Sequence, residues 1–331
     1  MPPAVVAAGA AIATTAISYL AATAAITAIQ AAILTLAVTV AATLLTRKPK
    51  VAARTSQQGS ELRLKLDPSL PRQIPLGRCA TGGSVVWSFT YGVREVEGKD
   101  NDVYNRYLVR IIALADLPIN GVVKVMEGKD VLTFSGDYHN GLVNCHQHAN
   151  KNGSSCMQLR VHRGSSNPSA DATVTSWNAQ WTANHKGTNM AYAVVRYDYW
   201  PEAFPNGEPQ LTFVLDGVDV YDDRSNSQVY SRNAAVLAAA CLRGFYSNGS
   251  LLFGAEAEAR DLDTAMLTSA YNTCDEQVAN ATGGTQPRYQ AGLLVSCSET
   301  VATVLTELQG AMDGAILDRG GAITILPGAT R

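Results

Sequence analysis

The run Tyr104-Asn105-Arg106-Tyr107-Leu108-Val109-Arg110-Ile111-Ile112-Ala113-Leu114 decides the fold class. Its β-branched and aromatic side chains suit a pleated, half-buried surface, so it reads as a long strand. A second run of the same texture precedes it, Ser84-Val85-Val86-Trp87-Ser88-Phe89-Thr90-Tyr91. Downstream, Val122-Val123-Lys124-Val125-Met126 is followed by Glu127-Gly128-Lys129-Asp130 and Val131-Leu132. That order reads as a hairpin turned at the glycine. Further strands are expected over 156–161, 191–197 and 210–217. The stretch 135–188 between them is polar, rich in Asn, Ser, His and Gly.

After Ser231 the pattern turns helical, over 233–244 and 261–281. The last part reads strand, helix, strand: 289–295, then 298–310 with Ser298 as N-cap, then 315–326 turned at Gly320-Gly321. The fold class is therefore α+β, with a long hydrophobic N-terminal helix, a β-rich body and a small C-terminal α/β domain. The expected boundaries are 1–46 for the hydrophobic helix, 47–70 for an extended linker, 71–230 for the β-rich part with its polar insertion 135–188, and 231–331 for the α/β part. The prolines of Leu66-Asp67-Pro68-Ser69-Leu70-Pro71 disfavour a helix in the linker.

Charge is distributed unevenly. The 331 residues carry 26 Lys+Arg and 28 Asp+Glu, yet residues 1–46 contain no charged side chain, and 33 of those 46 are apolar. A net charge of −2 argues against a sequence-independent nucleic-acid binder, which needs a basic surface. A hydrophobic content of 47% excludes wholesale disorder. As one helix, residues 4–46 would run roughly 65 Å, about twice the hydrocarbon thickness of a bilayer. The run lacks a basic start and is too long for a secretory signal peptide. Arg47-Lys48-Pro49-Lys50 would hold the C-terminal side of a membrane span in the cytoplasm.

Periodicity opens a second reading of the same segment. Val5, Ile12, Tyr19, Ile26, Ile33 and Val40 recur at a strict spacing of seven, with mostly small residues three positions on. That is the pattern of a tightly packed parallel bundle with a β-branched seam. Small residues on the other faces suit close approach in lipid or in a narrow tube. A transmembrane anchor and a self-associating helix therefore both stand. The six cysteines include no CxxC pair and read mostly as buried thiols of a protein folded in a reducing compartment.

The C-terminal third carries several short motifs. They are Tyr230-Ser231-Arg232-Asn233-Ala234-Ala235, Thr273-Cys274-Asp275-Glu276-Gln277-Val278 and Gly283-Gly284-Thr285-Gln286-Pro287-Arg288-Tyr289, followed by the helix 301–312 and the hairpin 315–325. Upstream stand Ala113-Leu114-Ala115-Asp116-Leu117-Pro118-Ile119-Asn120-Gly121, the strand 191–197, Phe204-Pro205-Asn206-Gly207-Glu208-Pro209 and Gly217-Val218-Asp219-Val220-Tyr221-Asp222. In this order they resemble the tail-tip hub proteins of long-tailed bacteriophages, the host-specificity protein J family of lambda-like siphophages. Ala115-Asp116-Leu117 departs from the Ser-Glu-Gly of the family's element. The resemblance covers roughly residues 70–331.

The resemblance implies a homotrimeric baseplate hub that caps the tail tube, with β-rich hub domains in a pseudo-six-fold ring and a smaller α/β domain beside them. It implies a structural virion protein at the tail tip, made in the host cytoplasm. Its partners would be two further copies of itself, the distal tail protein and other tail-tip proteins, with the tape-measure protein beside them and DNA only in transit. The helices over 1–46 would bundle on the three-fold axis and, on release, enter the host membrane. Members of the family continue into fibronectin-like and receptor-binding parts, so receptor recognition is expected on another protein or in residues past Arg331.

The remaining candidates for chemistry are few. All five histidines, His139, His146, His148, His162 and His185, lie with Cys145 and Cys156 in one polar stretch. Imidazole and thiolate are ligands for zinc or iron. A strand here would put His146 and His148 on one side, making Cys145, His146, His148 and Cys156 the candidate metal set. A Cys145–Cys156 disulfide and a hydrated loop are the alternatives. Asp216, Asp219, Asp222 and Asp223 form an acidic cluster that offers oxygen ligands for calcium or a solvated turn. Trp177, Trp181 and Trp200 suit a sugar cleft, buried anchors or subunit contacts. Gly82-Gly83-Ser84 and Gly283-Gly284-Thr285 lack the lysine of a phosphate loop and read as turns. No GxSxG elbow and no convergent acid–base pair is evident, so no enzyme activity and no cofactor is expected beyond that metal option.

Overall fold

Apolar and polar side chains alternate along the strands, and two antiparallel five-stranded sheets bury their apolar faces against each other. The computed structural model describes residues 71–94 and 103–328. The expected helix over 1–46, its seam at Val5, Ile12, Tyr19, Ile26, Ile33 and Val40, and the linker 47–70 lie outside the described residues.

The first sheet contains β1 (Gln73–Thr81), β4 (Gly121–Glu127), β5 (Asp130–Val131), β9 (Leu211–Asp216) and β16 (Gly292–Ser296), in the order β16-β1-β9-β4-β5. The second contains β2 (Ser84–Arg94), β3 (Val103–Ala115), β6 (Val143–Asn144), β7 (Met157–His162) and β8 (Ala191–Asp198), in the order β2-β3-β8-β7-β6. Leu211, Phe213 and Leu215 of β9 share one core with Ile112 and Leu114 of β3 and with Met157, Leu159 and Val161 of β7. Inward residues alternate with half-buried ones along β7 and β9, which fixes their register.

The second sheet is covered on its other face as well. Val109, Ile111, Tyr192 and Val194 pack there under the short helix α1 (Ala172–Trp177) and Trp181. This explains why β8 is an almost continuous apolar run, Ala191-Tyr192-Ala193-Val194-Val195. A strand buried on both faces has no polar side to alternate with.

Among the described residues, four two-stranded hairpins, three further α-helices and one 3₁₀ turn (Ala259–Asp261) complete the fold. The hairpins pair β10 (Asp219–Asp222) with β11 (Ser227–Tyr230), β12 (Phe245–Ser247) with β13 (Ser250–Phe253), β14 (Gln277–Ala279) with β15 (Thr285–Pro287), and β17 (Ala315–Asp318) with β18 (Ile323–Leu326). The helices are α2 (Ala234–Arg243), α3 (Thr264–Asp275) and α4 (Val301–Ala311). Every residue of α2 from Ala234 to Leu242 is buried. A helix apolar all round must be enclosed, and here Leu267 and Tyr271 of α3, Val304 and Leu308 of α4, and Ile74 and Leu76 of β1 enclose it.

β1 joins the β-rich part to the C-terminal part. Its first half pairs with β16 and its second half, from Arg78, pairs with β9. The change of partner falls at Gly77, where φ is +60° and a Cβ would stand 2.3 Å from the Ala291 carbonyl oxygen. Only glycine fits a position that combines a left-handed backbone with so close an approach.

Expectation and structure differ in three places. The helix expected over 261–281 runs only from Thr264 to Asp275, started by the Asp263 carboxylate on the Met266 N–H, and the chain then turns into β14. The last helix is capped by Thr300, not Ser298, whose hydroxyl pairs instead with that of Ser296. The helix α1 arises inside the polar stretch 135–188, which shows no helical period.

Candidate functional site

Asn233 stands where the C-terminal motifs meet. Its side-chain oxygen caps α2 by accepting from the N–H groups of Ala235 (3.0 Å) and Val236 (3.2 Å), while its Nδ2 donates to the carbonyl of Tyr271 (2.9 Å) in the last turn of α3. One buried amide thus starts one helix and ties down the end of another. Its backbone forms a bridge with Gln290, and the Ala291 N–H donates to the Arg232 carbonyl (2.8 Å). The end of α3 is clamped to the β14–β15 hairpin. Tyr289 N–H donates to the Cys274 carbonyl and Arg288 N–H to that of Glu276, whose carboxylate also pairs with the Arg288 guanidinium (2.9 Å). The hairpin β17–β18 joins through Ile323, whose carbonyl accepts from the Asp263 N–H (3.0 Å).

Two of the upstream motifs reach the other end of α2, whereas 191–197 and 204–209 pack between the two sheets. The Asn120 N–H donates to the Gly217 carbonyl (2.9 Å), which sets the 113–121 and 217–222 segments side by side. Between them, the C-terminal end of α2 and Tyr246 of β12 lies a largely apolar cleft of about 420 Å³. Leu117, Ile119 and Val220 line it, and Tyr246 is about half exposed at its side. A concavity of this size, mostly apolar with a few polar groups, is the usual form of a binding cleft.

The acidic cluster is neither a cation cage nor a solvated turn. Asp216 takes a bidentate pair from Arg78 (2.7 and 2.9 Å) and a hydrogen bond from the Tyr230 hydroxyl. Asp222 is buried and holds Arg224, which also reaches Asp275. Asp223 accepts two hydrogen bonds from Arg243 and one from the Tyr271 hydroxyl. Asp219 is exposed and, among the described residues, accepts a long hydrogen bond from Asn120 (3.5 Å). Burial raises the Asp216 and Asp222 pKa values, but the hydrogen bonds from Arg78 and Arg224 outweigh it and hold both below the usual carboxylate range. Oxygens committed to arginines are not available to calcium; Asp223 holds Arg243 at the end of α2, Asp222 and Asp275 share Arg224, and Asp216 ties β9 to β1 through Arg78.

Cys145, His146, His148 and Cys156 do not assemble as ligands. Strand β6 ends at Asn144, so the alternation expected through 145–148 fails, leaving His146 exposed and His148 buried. Both ring nitrogens of His148 face protein oxygens, the Ala203 carbonyl and the Glu127 carboxylate (2.9 Å each). Both thiols are free, and burial pushes Cys145 up and Cys156 to about 11. Among the described residues no three His, Cys, Asp or Glu side chains stand close enough to share a metal ion.

The other histidines serve as local ties. His139 Nε2 accepts from the Val122 N–H (2.9 Å), which leaves Nδ1 to donate to Asp137 (2.8 Å). His185 stacks on Trp181, which packs edge-on against Trp87. His162 reaches Asp171 at 2.7 Å, and this carboxylate, fully buried, also pairs with Arg160 and caps α1. The sequence reading missed Asp171, although Asp171-Ala172-Thr173-Val174 has the form of a helix start. Trp181 is buried and Trp177 stacks on Tyr91. These two are anchors of the outer layer, as the second reading of the tryptophans had it. Among the described residues, no helix is long and apolar enough to cross a membrane.

No protein-family model matches the chain. No curated protein matches it either. Among solved structures, a chain of the virion of a native gene transfer agent particle is similar, with 17% sequence identity and a TM-score of 0.43. The match covers 81% of this chain and 55% of that one, so the present chain spans about half the length of its structural neighbour. The likeness is remote and partial, to a chain of a virion particle, and does not single out the tail-hub family.

Proposed function

We propose that the chain is a structural virion protein, a homotrimeric tail-tip or baseplate hub. It caps the tail tube, binds the distal tail ring and takes part in channel opening and genome delivery into the host. Its action is mechanical and not catalytic. One observation carries the reading: most of the segments that resemble the hub family, 113–121, 217–222, 230–235, 273–289 and 301–325, gather in one connected block around α2, while 191–197 and 204–209 lie in the core of the two sheets. Asn233 ties those at one end of the helix, and the apolar cleft is built from those at the other. In this reading two further copies, the distal tail protein and other tail-tip proteins meet the body, and the tape-measure protein lies within reach of the axis. Residues 1–46 bundle along that axis and enter the host membrane on release, and DNA passes only in transit.

The charge-free head favours a second reading, a single-pass bacterial membrane protein with a β-rich binding domain on the cytoplasmic side. Removal of residues 1–46 separates the two. The hub reading expects a protein that still forms trimers by sedimentation equilibrium, because the body carries its own contacts. A soluble monomer after the deletion supports the membrane anchor and contradicts the hub.

A further inference from the structure

We propose that a small polar pocket on the outer face of the second sheet binds a carboxylate group through Arg196. The pocket, about 190 Å³, is lined by residues including Arg106, Tyr107, Gln158, Arg196 and Asp198. Strand register explains the gathering: Gln158 of β7 lies opposite Arg196 of β8, and Tyr107 of β3 lies opposite Asp198. These side chains stand on one face, at the edge of the area that α1 covers with Trp177.

The two arginines differ in their partners. Arg106 is clamped by both oxygens of Asp198 (3.0 and 2.6 Å), so its charge is balanced. Arg196 has no carboxylate partner among the described residues. Its guanidinium carbon lies 4.5 Å from the Tyr107 ring centre and 5.0 Å from that of Trp177, and its Nη1 donates to the Tyr91 hydroxyl (3.1 Å). The rings fix the guanidinium and favour its charge but cannot accept its remaining N–H groups in their plane. An oriented, half-buried cation with open in-plane donors suits a planar anion, and the charges of Arg106, Asp198 and Arg196 leave room for one negative charge.

A second group narrows the ligand. Gln158 donates its Nε2 to Asn144 (2.7 Å), which aims the amide, but its buried Oε1 has no partner. A buried acceptor left open calls for an N–H or O–H donor. The ligand class is therefore a monocarboxylate carrying a donor close to the carboxyl group. Both a free hydroxy acid and the carboxyl terminus of a peptide, with its last amide N–H, have that form.

Calorimetric titration of the full protein with sodium glycolate, against sodium chloride at equal ionic strength, tests the proposal. Glycolate should bind saturably, and Arg196→Met should weaken it by about tenfold or more. Gln158→Leu should weaken glycolate but leave acetate, which has no donor, unchanged; this comparison holds even where Arg196→Met fails to fold. Equal heats for glycolate and chloride, or glycolate binding unmoved in both variants, would overturn the site. A short peptide with a free carboxyl terminus distinguishes the sources. Binding tighter than glycolate assigns a protein partner, and weaker binding assigns a free acid.

Discussion

Asp171→Ala should lower the free energy of unfolding by about 3–5 kcal/mol, the scale for removing one member of a buried charged group. The wild-type carboxylate is fully buried between His162 and Arg160, and it accepts from the N–H groups of Thr173 and Val174. Its loss leaves the Arg160 guanidinium without a carboxylate and α1 without its cap. The layer over Val109, Ile111 and Trp181 would loosen with it. Urea unfolding at fixed protein concentration measures the loss. Acidity gives an independent check. Burial raises the Asp171 pKa, but the hydrogen bond from His162 and the charge of Arg160 outweigh it, so the folded value lies below the ordinary 3.8. A depressed carboxylate contributes fully above its unfolded pKa and loses that contribution as pH falls through the folded value. The gap between wild type and Asp171→Ala should therefore narrow as pH falls below about 4. A gap that stays unchanged at pH 3 would mean that the charge contributes nothing.

Asn233→Ala should cost about 2–4 kcal/mol, the sum of a lost helix cap and a lost buried hydrogen bond to the Tyr271 carbonyl. Asn233→Ser keeps a capping oxygen but cannot reach α3, so its loss should fall between wild type and Ala. Hydrogen exchange locates the effect. The amides of Tyr289 and Ala291, which close the junction on the Cys274 and Arg232 carbonyls, should exchange faster in both variants. Protection unchanged in the Ala variant would show that the motif segments are held together without Asn233.

The strands were legible where side chains report on local backbone. Val109, Ile111 and Ile112 are β-branched, and the hairpin turned at Gly128 has the expected pairing of Met126 with Val131. Helix α2 was legible from its unbroken apolar run and from Asn233 before it. Helix α1 was not, because six residues cannot hold a helix alone; a carboxylate fixed by β7 does so. The end of α3 was overrun since Glu276, Gln277 and Val278 suit a helix locally, and only pairing of β14 with Thr285–Pro287 turns them into a strand. The acidic cluster misled for a similar reason. The arginine that neutralises Asp216 is Arg78, far away in sequence and adjacent only after β1 pairs with β9. The histidine stretch promised a strand, but a bend after Cys145 separates His146 from His148.

The central claim is that this chain forms a three-fold hub at the end of a tail tube. The most direct measurement is the copy number and symmetry of the chain in the native particle, by electron cryomicroscopy of purified tails. Three copies around one axis at the distal end of the tube are expected, with density for residues 1–46 along that axis. A single copy in a membrane fraction, or a copy number at the tail tip other than three, would contradict it.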